Sequence, residues 1–313
     1  MSRVLVVYHT QSGQLEQCVR TIAAPLAEAG HTVEYLRLEP ATPYPYPWPF
    51  FAFLDAFPEA VYLDPPPLQP WSTAASGYDL VVLAYSPWFL SPAPPATAFL
   101  QSDAGRALLR GTPVVTVTAN RGMWVQAQEQ VKSLLATAGA RLGDHIALVD
   151  PHRLSSFITT PRWLLTGRKA PFWGLPRAGV PDADIAAGAR FGRALVQALA
   201  DGRLDGTGPV LTGLGAARVD PALANSEKLG RRSFRAWGKL VRSCGGPGAW
   251  SRKPVLAAYV VFLLLLIVTV VPLSLLIRSL LKPLLRARLQ AAAARFELPS
   301  GSGEERMHEF SQE

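Results

Sequence analysis

The first fifteen residues constrain the fold of this chain more than any other stretch. An apolar, β-branched run at residues 4–8 precedes a short polar loop, and residues 15–29 have the pattern of a helix. The loop reads His9-Thr10-Gln11-Ser12-Gly13-Gln14. A buried strand, a tight loop with one glycine and a helix open a doubly wound α/β domain. The hydroxyls of Thr10 and Ser12, together with the N–H groups that begin the helix, predict a phosphate cradle.

The order of residues in this loop, Thr-x-Ser-Gly directly after the first strand, resembles the FMN phosphate loop of flavodoxins. A dinucleotide-binding loop would need Gly-x-Gly-x-x-Gly, and a nucleotide triphosphate loop would need Gly-Lys-Ser/Thr. One position departs from the flavodoxin pattern, because Leu15 stands where a third hydroxyl is usual. The resemblance implies that FMN is the cofactor. An ordinary strand–turn–helix without a ligand stays open as the alternative.

Residues 1–201 are predicted to form a flavodoxin-like α/β domain with a five-stranded parallel sheet in the order 2-1-3-4-5. The apolar runs that predict strands lie at residues 4–8, 32–38, 78–85, 112–118 and 145–149. Helical patterns lie between and after them, at residues 15–29, 93–109, 123–139 and 182–201. Continuous apolar strands that alternate with helices indicate a parallel sheet covered on both faces. The order places a crevice at the carboxyl ends of strands 1 and 3.

Two loops at those carboxyl ends are predicted to hold a flat ring. After the third strand come Ser86, Pro87, Trp88 and Phe89. After the fourth strand come Asn120, Arg121, Gly122, Met123 and Trp124. An isoalloxazine ring is held by aromatic stacking and backbone hydrogen bonds, which Trp88 and Trp124 are placed to assist. The alternative is that each tryptophan only packs its own loop.

Two insertions extend this domain beyond a minimal flavodoxin. Ten of the 28 prolines lie between Pro40 and Pro70, interleaved with eight aromatic residues, which predicts a stiff, apolar, non-helical excursion. It would roof a lipophilic substrate site, lie against a bilayer, or pack on the sheet edge. The second insertion, residues 150–179, carries Arg162, Arg168 and Lys169. These cations would hold a phosphopantetheine or nicotinamide phosphate, or would be solvated loop charges.

The basic charge of the chain is concentrated in its last third. Residues 1–200 carry 15 Lys/Arg and 14 Asp/Glu, whereas residues 201–313 carry 16 and 9. The excess flanks an apolar segment, which favours an anionic membrane surface over nucleic acid as the partner. The sequence shows no nucleic-acid-binding motif. Its N-terminus shows no signal-peptide pattern, because the apolar run there is only as long as a strand.

Three segments follow the first domain. Residues 202–253 read as a basic linker with an interfacial helix near 227–242. Residues 254–278 form an apolar segment in which no residue between Lys253 and Arg278 is charged. As a helix, this segment is long enough to cross a hydrocarbon core of roughly 30 Å. Similar numbers of cations on both sides leave its orientation open, so it is predicted to be either a transmembrane helix or a monotopic insertion. Residues 279–313 read as a basic amphipathic helix and a polar, disordered tail.

Several long and unusual motifs carry a narrower resemblance. They are Tyr44-Pro45-Tyr46-Pro47-Trp48-Pro49-Phe50-Phe51, Leu63-Asp64-Pro65-Pro66-Pro67, the run Ile158-Thr159-Thr160-Pro161-Arg162-Trp163-Leu164-Leu165-Thr166-Gly167, and Val268-Thr269-Val270-Val271-Pro272. With these the chain resembles the flavodoxin-like proteins encoded with dialkylresorcinol and aryl-polyene or flexirubin biosynthesis, which are often labelled dialkylresorcinol condensing enzymes. The resemblance implies a role in that type of lipid biosynthesis.

The two cysteines do not support condensation chemistry. A condensing enzyme needs an activated thiol with His/His or His/Asn partners. Cys18 falls within the first helix and Cys244 within a glycine-rich linker, and neither has such partners in the pattern. They also form no disulfide framework and no metal-ligand spacing, so no metal and a reducing compartment are expected.

Three functional hypotheses follow. The first is an FMN oxidoreductase, anchored by residues 254–278 to the cytoplasmic face of the inner membrane, that oxidises a lipophilic cyclohexanedione to a resorcinol. Its base would be His9, beside the phosphate loop, or His152, which would have to fold back from the fifth strand. The second is an NAD(P)H-dependent quinone reductase or FMN electron carrier. The third is a flavin-free scaffold for a ketosynthase and an acyl carrier protein, a hypothesis motivated by Leu15.

Overall fold

The computed structural model of the chain describes residues 1–152, 154–205 and 208–310. The side chains at 205, 222, 225, 267 and 270–289 lie outside the described part. Seven strands and eleven α-helices are found within these limits.

The central element is a five-stranded parallel sheet. Its strands are β1 (Arg3–Tyr8), β2 (Thr32–Arg37), β3 (Leu80–Tyr85), β6 (Pro113–Asn120) and β7 (Arg141–Val149), in the order β2-β1-β3-β6-β7. Two further strands of two residues each, β4 (Pro87–Trp88) and β5 (Ser91–Pro92), form a separate antiparallel hairpin. When the hairpin is left out of the numbering, the sheet has the predicted order 2-1-3-4-5, and the flavodoxin-like α/β architecture is confirmed.

Helices cover both faces of the sheet, because side chains alternate along each strand. Val4, Val6 and Tyr8 pack towards one face with α1 (Gln14–Glu28), α8 (Asp182–Ala187) and α9 (Ala189–Ala200). Leu5 and Val7 pack towards the other face with α4 (Pro94–Gln101), α5 (Asp103–Leu109) and α6 (Val125–Ala138). All six residues of β3 are buried, as expected for a central parallel strand.

Two helices predicted as continuous are interrupted. The helix expected at residues 93–109 breaks at Ser102, whose backbone is extended and whose Oγ caps α5 by accepting a hydrogen bond from Gly105 N at 3.0 Å. The helix expected at residues 182–201 divides into α8 and α9 at Gly188. Gly192 lets α9 approach α1 closely, because a Cβ there would lie 2.0 Å from the carbonyl oxygen of Ile22.

The proline-aromatic insertion is partly helical, contrary to the prediction of a non-helical excursion. It contains α2 (Phe50–Asp55) and α3 (Phe57–Tyr62), and α7 (Ser156–Thr166) lies in the second insertion. Phe57 and Val61 of α3 are buried against α10 (Pro221–Ser243) and the start of α11 (Lys253–Glu297). The interfacial helix predicted at residues 227–242 is thus part of α10, packed against the insertion.

The C-terminal tail packs on the first domain, which corrects the expectation that it is disordered. Phe310 is buried among the residues of the α1 and α9 face, and Arg193 Nε donates to its carbonyl oxygen at 2.9 Å. Ser300 is fully buried, where its Oγ donates to Asp144 at 2.7 Å and accepts from His145 N at 2.7 Å. The described tail is therefore structured by contacts with β7 and α9.

Residues 254–278 belong to α11, whose helical residues run from Lys253 to Glu297. The segment after residue 279 is thus helical up to Glu297 and is part of α11. Side chains at 267 and 270–278 lie outside the described part. Within the described residues, no helix has the length and apolar character required to cross a membrane.

Candidate functional site

The loop between β1 and α1 begins the candidate site. Gly13 adopts a left-handed conformation with φ of 79°, and its N–H donates to Thr10 Oγ1 at 3.1 Å. Helix α1 has no side-chain cap, and its first backbone bond to the loop runs from Gln17 N to Gly13 O. Within the described residues, the N–H groups of Gln11, Ser12 and Gln14 have no acceptor, and neither has the Ser12 hydroxyl. The loop therefore presents a set of donors suited to an anion.

Both insertions hold this loop in place. From the first, Trp48 is buried and its indole N–H donates to Gln11 Oε1 at 3.0 Å. At the end of the second, the Gln14 side chain forms two hydrogen bonds with the backbone of Val180, the residue that directly follows it, at 3.0 and 3.1 Å. The insertions also meet each other, since Trp48 N donates to Leu164 O at 2.9 Å. The first part of the proline-aromatic insertion therefore lies over the phosphate loop.

His9 is fixed as a neutral acceptor at the edge of the loop. Its Nδ1 lies 2.8 Å from the carbonyl oxygen of Leu38, so Nδ1 carries the proton and donates. Burial lowers the pKa of His9, which keeps the imidazole neutral at pH 7. Its Nε2 is buried without a partner in the described part of the chain, and so is Gln11 Nε2. A basic nitrogen and an amide donor thus remain available beside the N–H groups of the loop.

An aromatic wall stands next to His9. It consists of Trp88, Tyr44 and Trp48. The Trp88 ring centroid lies 6.3 Å from that of His9, 5.1 Å from Tyr44 and 5.6 Å from Trp48. Trp88 is half-buried on the β4–β5 hairpin, where Pro87 pairs with Pro92, and Ser86 O accepts from Ala93 N. The structure thus brings Trp88 to the phosphate loop.

Phe89 does not join this wall. Its ring lies 5.1 Å from Phe53, 5.7 Å from Phe57 and 6.0 Å from Phe234. These contacts place Phe89 in the core between the insertion and α10. The expectation that it belongs to a ring-binding loop is corrected accordingly.

The loop after β6 is ordered by its own side chains. Asn120 Oδ1 accepts from Gly122 N at 2.7 Å, and Gly122 has a φ of 92°. The Arg121 guanidinium is half-buried and lies 4.4 Å from the ring centroid of Phe157 in α7. Burial lowers the pKa of Arg121 to about 10, so it remains a cation at pH 7. Met123 is half-buried at the end of the loop.

Trp124 belongs to the core, which corrects its assignment as a stacking residue. It is 1% exposed, and its ring lies 4.7 Å from that of His145 on β7. The other buried members of its cluster are Val125, Ala217, Val219, Ala224 and Ala293. Because α10 and the end of α11 enclose this ring, no face of it is left for a cofactor.

Sequence reasoning missed Glu227, which fixes the start of α6 from 101 residues away. Glu227 is fully buried on α10, and its carboxylate accepts from Gln126 N at 2.8 Å and from Val125 N at 3.4 Å. A carboxylate at a helix N-terminus complements the helix dipole. The local sequence offered no signal for this contact beyond a glutamate early in an amphipathic pattern.

The burial of Glu227 predicts a pH-dependent stability. Burial raises its pKa to about 7, against an ordinary value of 4.5. The folded chain therefore keeps a proton that the unfolded chain releases, so the free energy of unfolding should fall as pH rises from 4.5 to 7. Denaturant titrations across this range should show a flatter profile for Glu227→Gln than for the natural chain. Glu129→Gln, on the half-exposed side of α6, serves as the control and should leave the slope unchanged.

The remaining candidates of the second insertion are not brought to the loop as ligands. His152 is exposed. Arg162 Nη1 donates to the carbonyl oxygens of Arg168 and Ala170, at 3.1 and 2.9 Å, and its guanidinium lies over Phe172. The Lys169 ammonium lies 4.9 Å from the ring centroid of Trp163. Arg162 and Lys169 therefore stabilise the insertion itself.

Two surface cavities lie at the opposite end of the sheet. They measure about 280 and 410 Å³ and share Pro113, Arg141 and Leu204 in their walls. Ligands of open α/β sheets bind outside the carboxyl ends of the strands, whereas these cavities adjoin the amino ends. We therefore place the candidate site at the phosphate loop. Within the described part of the chain, no cluster of side chains has the makeup of a metal site.

Comparison with known proteins gives a distant likeness. No protein-family model matches the chain, and no curated protein matches it. A flavoprotein in complex with FMN from Lactobacillus acidophilus is 14% identical, with a TM-score of 0.39, over 47% of this chain and 93% of that chain. A flavodoxin from the domain Archaea is 11% identical, with a TM-score of 0.36, over 63% and 99%. Flavodoxin 1 from Bacillus cereus is 14% identical, with a TM-score of 0.35, over 63% and 98%.

The fold of this chain is established by its own sheet order and connections.

Proposed function

We propose that this chain is an FMN-binding redox protein whose phosphate loop, His9 and aromatic wall form one site. The observation that carries the proposal is the neutral His9 with a free Nε2 beside unpartnered loop donors. The residues present fit the cofactor. The N–H groups of Gln11, Ser12 and Gln14 suit its phosphate, Gln11 Nε2 is an unused buried donor, and Trp88 offers an apolar face.

The reaction we propose is oxidation of a lipophilic cyclohexane-1,3-dione to a resorcinol, as part of dialkylresorcinol or aryl-polyene-type lipid biosynthesis. This aromatisation removes one hydride and one proton from the ring. Bound FMN supplies the two-electron acceptor. His9 Nε2 takes the proton from the ring carbon next to a carbonyl, and the Leu38 carbonyl holds the imidazole in the required tautomer. The motifs shared with the dialkylresorcinol-associated family support this substrate class.

Substitution of His9 tests its role as the base. The His9→Gln variant should retain FMN. In anaerobic stopped flow, a 2,5-dialkylcyclohexane-1,3-dione should reduce the flavin of this variant about 10²- to 10⁴-fold more slowly than the flavin of the natural chain. Because burial lowers the pKa of His9, the rate for the natural chain should fall only below that lowered pKa. His152→Gln, at an exposed site, is the matched control and should react normally. A His9→Gln chain with a normal rate would show that another group removes the proton.

A second function, a flavin-free scaffold for a ketosynthase and an acyl carrier protein, is favoured by Leu15. Its side chain is 2% exposed in the core and offers the loop no hydroxyl. Failure to bind FMN would make this function the leading one. Flavin that is reduced by NAD(P)H and reoxidised by quinones, but not by the dione, would instead indicate a quinone reductase or electron carrier.

The proposed location is the cytoplasmic face of the inner membrane, with attachment through residues 254–278. This location suits a substrate with long alkyl chains, which partitions into lipid. Exposed apolar side chains within the segment, such as Leu264 and Leu265, and the exposed cation Lys253 beside it support this location.

A further inference from the structure

Both ends of α11 are packed on the same folded domain. At its beginning, Leu256 and Tyr259 are buried, and Tyr259 lies 6.2 Å from Phe234 of α10, ring centroid to ring centroid. Phe262 is held in the same way, 5.2 Å from Trp237. The apolar helix thus starts alongside α10.

The end of α11 returns to the other part of α10. Phe296 lies 5.3 Å from the Lys228 ammonium, and Ala293 is buried in the cluster of Trp124. Glu297 Oε1 accepts from Val219 N at 3.0 Å. The tail that follows is fixed by the buried Ser300 and Phe310, so this end of the helix is bound as firmly as its beginning.

Helix geometry shows that the chain must come back between these contacts. Tyr259 and Phe296 are 37 residues apart, which is about 55 Å along a straight helix. Their partners on α10, Phe234 and Lys228, are six residues apart, or about 9 Å. Side-chain lengths do not bridge this difference. The helical path from Tyr259 to Phe296 is therefore bent, so that it leaves the domain and returns to the same side of it.

The described part of the outgoing path exposes an apolar surface. Val261, Leu264, Leu265 and Val268 are 57%, 57%, 60% and 71% exposed, and Trp250 before the helix is 74% exposed. Exposed apolar side chains grouped along one segment mark an interaction site.

A cation and a tryptophan stand where this apolar surface begins. Lys253, the first residue of α11, is exposed and lies 5.5 Å from the ring centroid of Trp250. Apolar residues next to a cation and a tryptophan are the composition of a segment that lies in an anionic bilayer interface. An apolar protein partner would match this cation poorly.

We propose that Val261, Leu264, Leu265 and Val268 dock into one leaflet of an anionic bilayer as a monotopic anchor, with the first domain and the C-terminal tail on the same side. This proposal rests on the membrane attachment proposed above and does not depend on the flavin. It makes the segment 254–278 an insertion that enters and leaves through one face of the membrane rather than a span that crosses it.

Vesicle binding tests the docking surface. The full-length protein should sediment with vesicles of 7:3 phosphatidylcholine and phosphatidylglycerol, and less with phosphatidylcholine alone. Replacing Leu264 and Leu265 together by glutamate should lower the bound fraction at least about tenfold, because two side chains that the bilayer would bury are lost. In the matched control, glutamate replaces Leu154 and Ile158, which are 71% and 56% exposed in the second insertion. Equal losses in both double variants, or no binding by the natural chain, would overturn the proposal.

Cysteine labelling tests the topology. The native Cys244 precedes the apolar segment, and Cys18 is buried. A second chain carries Cys244→Ser and His308→Cys, which moves the reactive thiol to the exposed end of the tail. A membrane-impermeant maleimide added outside sealed vesicles should label both chains before detergent is added. Labelling of the two positions from opposite sides would show a spanning helix and overturn the proposal. Neither vesicle binding nor thiol labelling uses the flavin, so failure of either test is distinguishable from failure of the flavin proposal.

Discussion

Replacing Gly13 by valine is expected to abolish FMN binding while the domain still folds. Gly13 has a φ of 79°, a conformation that costs a residue with a side chain about 1–2 kcal/mol and is least suited to β-branched residues. Space is not the obstacle, because a Cβ at Gly13 would meet no atom within 4 Å. Relief of the strain would turn the loop N–H groups away from the phosphate. The loss of two charge-assisted hydrogen bonds predicts a rise in Kd on the order of 100-fold or more, measured by fluorescence titration with FMN.

Gly30 provides a closely matched control. It lies at the opposite end of α1 with a φ of 84°, and a Cβ there would also meet no atom within 4 Å. Gly30→Val should therefore lose similar stability, but it should bind FMN as the natural chain does. Equal loss of FMN in both variants would show that the effect comes from general destabilisation. Retained FMN in Gly13→Val would show that the phosphate lies elsewhere.

Replacing Arg252 by alanine is expected to destabilise the junction between the first insertion and α11 by about 3–5 kcal/mol, a typical cost of breaking a buried ion pair. Arg252 is 1% exposed and bridges two carboxylates, with Nη1 3.0 Å from Asp55 and Nη2 2.6 Å from Glu59. Its Nε also donates to Gly245 O at 2.9 Å. The substitution leaves both carboxylates without their counter-charge. Denaturant unfolding and limited proteolysis at the 244–252 turn should both report the change.

Arg242 supplies the control for this effect. It pairs with Asp64 at 2.7 Å, but the two side chains are 34% and 62% exposed. Exposed ion pairs contribute less than about 1 kcal/mol, so Arg242→Ala should unfold close to the natural midpoint. If Arg252→Ala also unfolded there, the buried ion pairs would not hold this junction.

The strands of the sheet and the phosphate loop were predictable because their determinants are local, whereas the strand order followed from the resemblance to flavodoxins. A continuous apolar run such as residues 80–85 predicts a buried central strand, and Gly13 lies where a strand turns into a helix. The bend at Ser102 was not predicted, although serine as an N-cap is a readable signal. Boundaries elsewhere differ by a few residues, since strand ends depend on neighbouring strands.

Residues whose role depends on distant contacts were not predictable. Trp124 follows a strand like a ring-binding residue, but packing by α10 and α11 makes it part of the core. Glu227 caps α6 across 101 residues, and Ser300 reaches Asp144 across 156. The composition of the polar tail did not indicate that it packs on the first domain, because a few buried contacts among many exposed residues do not change that composition. Long-range packing of the C-terminal extension therefore accounts for most of the differences.

The absorbance spectrum of the full-length protein, purified in detergent, tests the central claim most directly when the released chromophore is identified by mass. The account predicts a yellow protein with a flavin spectrum that releases FMN, or a colourless protein that binds one added FMN per chain. A colourless protein that refuses added FMN would contradict the account and leave the flavin-free scaffold as the function of this chain.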